Sequence, residues 1–261
     1  MLSNLEYNEE ESKRTERAYL SPEIVRQRER TLAVIGPQKR ERIVDVGCGP
    51  GLLACELAAA VGNGGHVTGI DSSSSMIVLA NDRCAGLSNV TFIECDATGL
   101  AVDDACADAV ACTQVLLYVG DVRKAIAEFW RILEPGGRVI IMETDWRGAV
   151  LHSNDEVLTE KIIEAWDRAV PSPRLPARLG SLLREAGFAS VQIDAIPIIS
   201  MSAEMDGYAM SMMTQCAHEA REQGVIDKSQ GREWIRSLQR LGEESAFFFS
   251  VNRFLFSAVK N

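Results

Sequence analysis

The feature that most constrains this chain is a repeated unit: a short apolar run, a turn, and a segment of helix-favouring residues. Arg42 to Val46 is such a run and ends in glycines, and Leu52 to Val61, dominated by Leu, Ala and Glu, follows as a helix. His66 to Ile70 then reads as a strand, Ser73 to Ala85 as a helix, and Val90 to Cys95 as a strand. Ala107 to Cys112 is another apolar strand, Val122 to Leu133 a helix stopped by Glu134-Pro135-Gly136-Gly137, and Arg138 to Met142 a further strand. Regular alternation of this kind builds a mostly parallel α/β sheet with helices on both faces, because a strand that returns in parallel needs a crossover helix. The run RVIIM at 138 to 142 shows no polar alternation, which fits a strand covered on both sides.

The flanks depart from that unit. Ser21-Pro22-Glu23 opens a helix, with serine placed to cap it, proline in the first turn and glutamate at the positive end; it runs to about Ile35 and stops at Gly36-Pro37. Past Glu143 the alternation breaks. Asp155 to Ala169 reads as an added helix, Pro176 to Gly187 as a helix, Val191 to Ile199 as a strand, Glu204 to Gln223 and Ser229 to Leu241 as helices, and Phe247 to Val259 as a final strand. The expected division is an N-terminal arm and helix over 1–41 that serves as a lid, a core over 42–199, a helical cap insertion over 200–244, and a last sheet strand over 245–261.

Composition narrows the function. At 261 residues, 46% hydrophobic and 25% charged, the chain reads as one large globular domain with an appended cap. A formal net charge of −10 argues against nucleic acid, which is bound through basic surface, and leaves a small molecule as the expected partner. The longest apolar runs, such as Ala105 to Val119, are broken by Asp108, Thr113 and Gln114 and fall short of the roughly 20 residues that span a bilayer. The charged start, MLSNLEYNEEESKRTER, lacks the apolar centre of a secretory signal, so a cytoplasmic protein without membrane attachment is expected. The seven cysteines are scattered and never spaced C-x-x-C, which predicts reduced, buried thiols, no disulfide and no metal site.

The turn after the first strand carries the chemistry. It reads IVDVGCGPGLL from Ile43 to Leu53, with Gly47, Gly49 and Gly51 where a ligand would need close approach of backbone at the carboxyl end of a strand. Asp71, at the end of the second strand, follows Gly51 by 20 positions, the separation at which a carboxylate receives ribose hydroxyls. NAD and S-adenosylmethionine both use such geometry. A pyrophosphate asks for G-x-G-x-x-G at a helix N-terminus, whereas here Pro50 intervenes and Leu52 stands at the would-be third glycine. Asp45, just before the loop, suits a ligand with an ammonium group better than a diphosphate. Taken singly, Asp71 or Asp96 could equally be a turn-capping residue.

DVGCGPG at 45 to 51 resembles the first motif of class I S-adenosylmethionine-dependent methyltransferases. The resemblance continues through GID at 69 to 71, CDA at 95 to 97 and LEPGGRV at 133 to 139, and covers Arg42 to about Val191. It implies a Rossmann-like, seven-stranded, mostly parallel sheet and S-adenosylmethionine as cofactor. It further implies that Gly47 and Gly49 line the cofactor, that Asp45 lies near its amino-acid end, and that Asp71 holds the ribose. Asp96 is implied to meet the adenine amino group with Ala97 beside the ring, Met76 to pack near the adenine, and the backbone of Gln114 to meet the methionine moiety. The segment CTQVLLY at 112 to 118 lacks the NPPY or DPPY signature of enzymes that methylate nucleic-acid or glutamine amines. It resembles the small-molecule, quinone-type (methyltransferase type 11) branch.

On this reading the protein methylates oxygen, nitrogen or carbon of a small, apolar or aromatic molecule. A non-catalytic S-adenosylmethionine-binding scaffold and a nicotinamide-dependent oxidoreductase are the alternatives. Methyl transfer needs chiefly an aligned nucleophile, and a base only if the acceptor must lose a proton. The catalytic candidates are Tyr118, after the fourth strand, and Asp145 and His152, after the fifth. Tyr118 could instead pack, Asp145 could cap a turn, and His152 could be an exposed loop residue. Tyr19 could close over the cofactor with the arm or stand as a surface aromatic. Met201, Met205, Met210, Met212 and Met213 crowd around Tyr208, where thioethers either fill core or adapt to an apolar ligand.

Overall fold

One eight-stranded sheet organises the molecule, in the order β3-β2-β1-β4-β5-β8-β6, with β7 pairing β8 off this path. The computed structural model describes residues 16–261, so residues 1–15 of the expected arm lie outside the described residues. The strands are β1 (Arg42–Val46), β2 (His66–Asp71), β3 (Val90–Glu94), β4 (Ala107–Thr113), β5 (Leu133–Thr144), β6 (Val150–Leu151), β7 (Ala189–Ser200) and β8 (Phe249–Val259). The helices are α1 (Pro22–Ile35), α2 (Leu52–Val61), α3 (Ser74–Cys84), α4 (Val122–Ile132), α5 (Glu156–Ala169), α6 (Pro176–Glu185), α7 (Tyr208–Glu222) and α8 (Lys228–Glu243). Strands β1 to β5 run parallel, and β8 is antiparallel to β5, β6 and β7. The chain reverses its direction of winding between β1 and β4, the place where open α/β sheets bind ligands.

Helices cover both faces. Ile35 of α1 and Leu53, Leu57 and Val61 of α2 pack on Ile43, Ile140 and Met142, while Ile126 and Phe129 of α4 and Leu179 and Leu183 of α6 pack on Val44, Val110 and Ile141. A third cluster joins Ile162 and Trp166 of α5, Met210, Met213 and Cys216 of α7 and Trp234 and Leu238 of α8 to Phe249 and Val251 of β8. Among the described residues no helix is long and apolar enough to cross a membrane.

Four expectations need correction. The sheet has eight strands, not seven, because Val150 and Leu151 pair with Ser250 and Phe249; two residues are too few to register as a pattern. Cys55 on α2 and Cys84 at the end of α3 are disulfide-bonded with Cα atoms 5.9 Å apart, since these neighbouring helices bring together residues 29 positions apart. The other cysteines are free. Ser21 occupies the N-cap of α1, but its hydroxyl caps nothing and is buried without a partner. Finally, β5 begins at Leu133, because Gly136 N donates to Lys260 O and Lys260 N to Gly137 O, which draws the EPGG turn into the sheet.

Candidate functional site

The loop from β1 to α2 is shaped by backbone that only glycine adopts at no cost. Gly47 has φ +70°, and a Cβ there would lie 2.0 Å from Val115 Cγ2, so any side chain would push the β1 loop away from the turn after β4. Gly49 has φ +52°, yet a Cβ there would meet nothing within 4 Å: it faces open space. Gly47 N and Cys48 N both donate to Ile70 O, at 2.7 and 2.9 Å. Asp71 ties the loop to the next turn, its Oδ2 accepting from Gly49 N and its Oδ1 from Ser73 N, each at 2.9 Å.

This loop forms one wall of a cavity of about 460 Å³. Gly47, Gly49, Asp71, Met76, Asp96, Ala97 and Gln114 all line it, so the structure brings together most of the residues singled out around the loop. Asp96 is exposed and its Oδ1 accepts from Thr98 N at 2.7 Å, so it does cap its own turn while facing the cavity. Gln114 is left-handed (φ +60°), a strained state for a residue with a side chain, and is locked there by Gln114 N to Met142 O at 2.8 Å and Thr144 Oγ1 to Gln114 Oε1 at 2.6 Å. Asp45 sits beneath the loop instead of in the lining, 1% exposed, and neither of its carboxylate oxygens has a partner. Burial, with the Asp71 charge second, pushes its pKa up to about 7. An unpaired buried carboxyl under a glycine loop fits a ligand that brings a cationic group to that spot.

Beyond the loop the same cavity opens into a chamber with aromatic walls. Tyr19, Ile24, Gln27 and Thr31 line it from the N-terminal side, Tyr118 and Trp146 from the turns after β4 and β5, Tyr208 and Met212 from α7, and Arg253 from β8. Trp146 meets Trp166 edge-on, with ring centroids 5.9 Å apart, which anchors that wall in the cap cluster. Burial pushes the Tyr19 phenol up to about 12, with Arg253, Tyr208 and Asp71 in its electrostatic surroundings. Of the methionines, Met212 lines the chamber, Met210 and Met213 are core, and Met201 and Met205 are exposed.

Tyr118 lines the chamber, but the structure does not bring Asp145 and His152 there. Asp145 is turned away into a pair with Arg147, Oδ2 to Nη2 at 2.7 Å, and caps the turn at Trp146–Gly148. His152 is exposed beyond β6, where Nδ1 lies 2.8 Å from Ala246 O and its N–H donates to Phe248 O at 2.9 Å. Both follow the correct end of β5, but β6 pairs with β8 and carries the chain off the cavity. Sequence reasoning missed Gln27, Thr31 and Arg253. The signal for Arg253 was present: a lone arginine inside the apolar run FFFSVNRFLF. Among the described residues no group of His, Cys, Asp and Glu could hold a metal ion.

Fold and site together define an α/β protein that holds a nucleoside-bearing cofactor at the switch point of its sheet. A family model described as a methyltransferase domain matches residues 44–141. A demethylmenaquinone methyltransferase of Clavibacter sepedonicus is 35% identical over 62% of this chain and 71% of its own. An uncharacterized transposon protein of Streptomyces fradiae is 30% identical over 76% of this chain, which spans 57% of that relative's length. Among solved structures, a Haemonchus contortus phosphoethanolamine N-methyltransferase in complex with S-adenosylhomocysteine covers 99% of this chain and 59% of its own, with a TM-score of 0.65 and 20% identity, a likeness of fold. The chain belongs to the class I S-adenosylmethionine-dependent methyltransferase family, whose cofactor is S-adenosylmethionine.

Proposed function

We propose that this protein transfers a methyl group from S-adenosylmethionine to an oxygen, nitrogen or carbon of a small molecule with an apolar or aromatic body. The observation that carries this reading is the continuity of the cavity, which runs from the glycine loop to the chamber of Tyr118, Trp146, Tyr208 and Met212. Bound there, the cofactor supplies an electrophilic methyl on a sulfonium. Gly47, Gly49 and the Gln114 backbone would hold its methionine end, with Asp45 acting on the ammonium from beneath the loop, Asp71 would hold the ribose, and Asp96, Ala97 and Met76 the adenine. The aromatic walls exclude water and orient the acceptor, the work that a displacement of this kind chiefly needs. Tyr118 is the substrate-facing hydroxyl at the turn after β4. The name of the Clavibacter relative favours a ring, quinone-like or phenolic, as the body of the acceptor.

Calorimetric titration of the purified protein with S-adenosylmethionine and separately with NAD tests the cofactor half of this reading. Incubation with methyl-labelled S-adenosylmethionine and a panel of quinols, phenols and amines tests the rest. Binding of the first cofactor alone, with label transferred to a member of the panel, is the expected result. NAD binding alone would overturn the assignment of the loop, and S-adenosylmethionine binding without any transfer would favour a non-catalytic binding protein.

A further inference from the structure

Arg253 is 3% exposed and lines the chamber. Its Nη1 donates to Gln27 Oε1, and the guanidinium lies over the Tyr208 ring, 4.8 Å from the centroid. Its Nε has no partner, its Nη2 donates to no described group, and among the described residues no carboxylate comes within 4 Å. Arg28, the other arginine of the cavity, is by contrast satisfied: Nε reaches Glu56 Oε1 at 2.7 Å and Nη1 reaches Tyr19 O at 3.2 Å. Glu143 is close in sequence register but belongs to the opposite face of the sheet, since Thr144 pairs with Arg253 and Glu143 with Phe254. Its Oε1 accepts from Val115 N and Leu116 N, and its Oε2 is buried without a partner; it feels the charge of Arg253 through the sheet but makes no ion pair with it within 4 Å.

A guanidinium withdrawn from water without a carboxylate in contact is costly, and the unspent Nε–Nη2 edge is the fork that receives a carboxylate through two parallel hydrogen bonds. We propose that Arg253 is a specificity residue that anchors a carboxylate of the acceptor, so that the substrate class is an aromatic acid. This deepens, and rests on, the methyl-transfer reading of the same cavity. The cofactor's own carboxylate is the rival partner. Its methionine end would lie between the loop after β1 and the Gln114 backbone after β4, with Arg253 on β8 two strand spacings beyond β4, about 10 Å, so the S-adenosylhomocysteine affinity of Arg253→Gln tells the two partners apart. Tyr19, Trp146, Tyr208 and Met212 supply the apolar walls for the ring that carries the acid.

The test is calorimetry on the native protein, with and without S-adenosylhomocysteine, titrated with benzoate, salicylate and cinnamate and with benzamide, salicylamide and cinnamamide. At least one acid is expected to bind roughly ten-fold or more tighter than its amide, about 1.4 kcal/mol. Arg253→Gln should erase that preference and leave the S-adenosylhomocysteine affinity unchanged, while Gln27→Ala, which frees the guanidinium from its anchor, should reduce the preference in part. The acid and amide comparison on native protein stands even if Arg253→Gln does not fold. Amides that bind as well as acids, an absence of binding by all three acids, or an Arg253→Gln variant that keeps the preference would each overturn the proposal. Loss of S-adenosylhomocysteine affinity in Arg253→Gln would overturn it too, by making the cofactor the partner of Arg253. Failure of native protein to bind S-adenosylhomocysteine while the acid preference persists would instead refute the methyltransferase reading alone.

Discussion

Gly49 and Gly47 stand two residues apart, and their substitution separates a binding effect from a folding effect. At Gly49 the backbone is left-handed and a Cβ meets nothing within 4 Å. Alanine or valine there suffers the left-handed penalty of about 1 to 2 kcal/mol for a residue with a side chain, with no clash added. For a chain of this size each kcal/mol lowers Tm by roughly 2 to 4 °C, so Gly49→Val should melt about 2 to 8 °C below native protein. The new methyl groups occupy the cofactor's side of the loop, and S-adenosylmethionine affinity should fall at least about 100-fold, or roughly 2.8 kcal/mol. At Gly47 the same left-handed penalty is joined by a 2.0 Å approach to Val115 Cγ2, so Gly47→Ala should lose more stability than Gly49→Val despite its smaller side chain. Melting curves without ligand and titrations with S-adenosylmethionine, run on both variants, measure the two effects separately. A Gly49→Val protein that binds with native affinity would refute the placement of the cofactor against this loop.

Glu143 gives a pH signature. Burial, partly offset by the backbone N–H groups of Leu116, Val115 and Leu117 and by the charge of Arg253, raises its pKa from 4.5 to about 8. Its contribution to stability is full below about 4.5 and is lost as pH rises through about 8, so Tm should fall across that window and Glu143→Gln should flatten the profile; equal profiles would remove the effect. Asp45, raised to about 7, adds to the same trend. The Cys55–Cys84 disulfide closes a loop of 29 positions, worth about 3 to 4 kcal/mol by the chain-entropy account, so Cys55→Ser should lower Tm measurably. Thiol titration of unreduced, denatured protein should find the five free cysteines (48, 95, 106, 112 and 216) and not seven.

The frame of the fold was legible because strand and helix periods alternate where burial is complete. Leu52 to Val61 is bounded by glycines on both sides, and the helix has those limits. The glycine loop was legible because three glycines and two carboxylates at fixed spacing leave few other uses. The far half of the cavity was not, since its residues come from five separate places in the chain and no local pattern marks convergence. Gln27 lies among polar helix residues and Thr31 shows nothing unusual; only the packing of α1 beside β7, with Arg253 Nη1 of β8 donating to Gln27 Oε1, makes them walls of a chamber. His152 and Asp145 misled for a related reason. Being just past the carboxyl end of a strand predicts proximity to a site only if the chain turns inward, and here the turn at Trp146–Gly148 sends it outward. The disulfide was invisible because cysteine spacing says nothing about which helices lie side by side.

The place of β8 in the sheet also bears on how the molecule assembles. It is the shared partner of β5, β6 and β7, and its pairing of Val150 with Ser250 joins residues 100 positions apart. Until residues 249–259 are in place, β6 and β7 have no strand to bond, while β1 to β5 can already pair among themselves. The antiparallel half of the sheet thus carries the long loop-closure cost, and the topology predicts that it closes after the neighbouring βα units have paired. Arg253 lies within that late strand, so the acceptor chamber is completed after the cofactor loop, and a partly folded chain would expose the apolar β7 edge until its partner arrives.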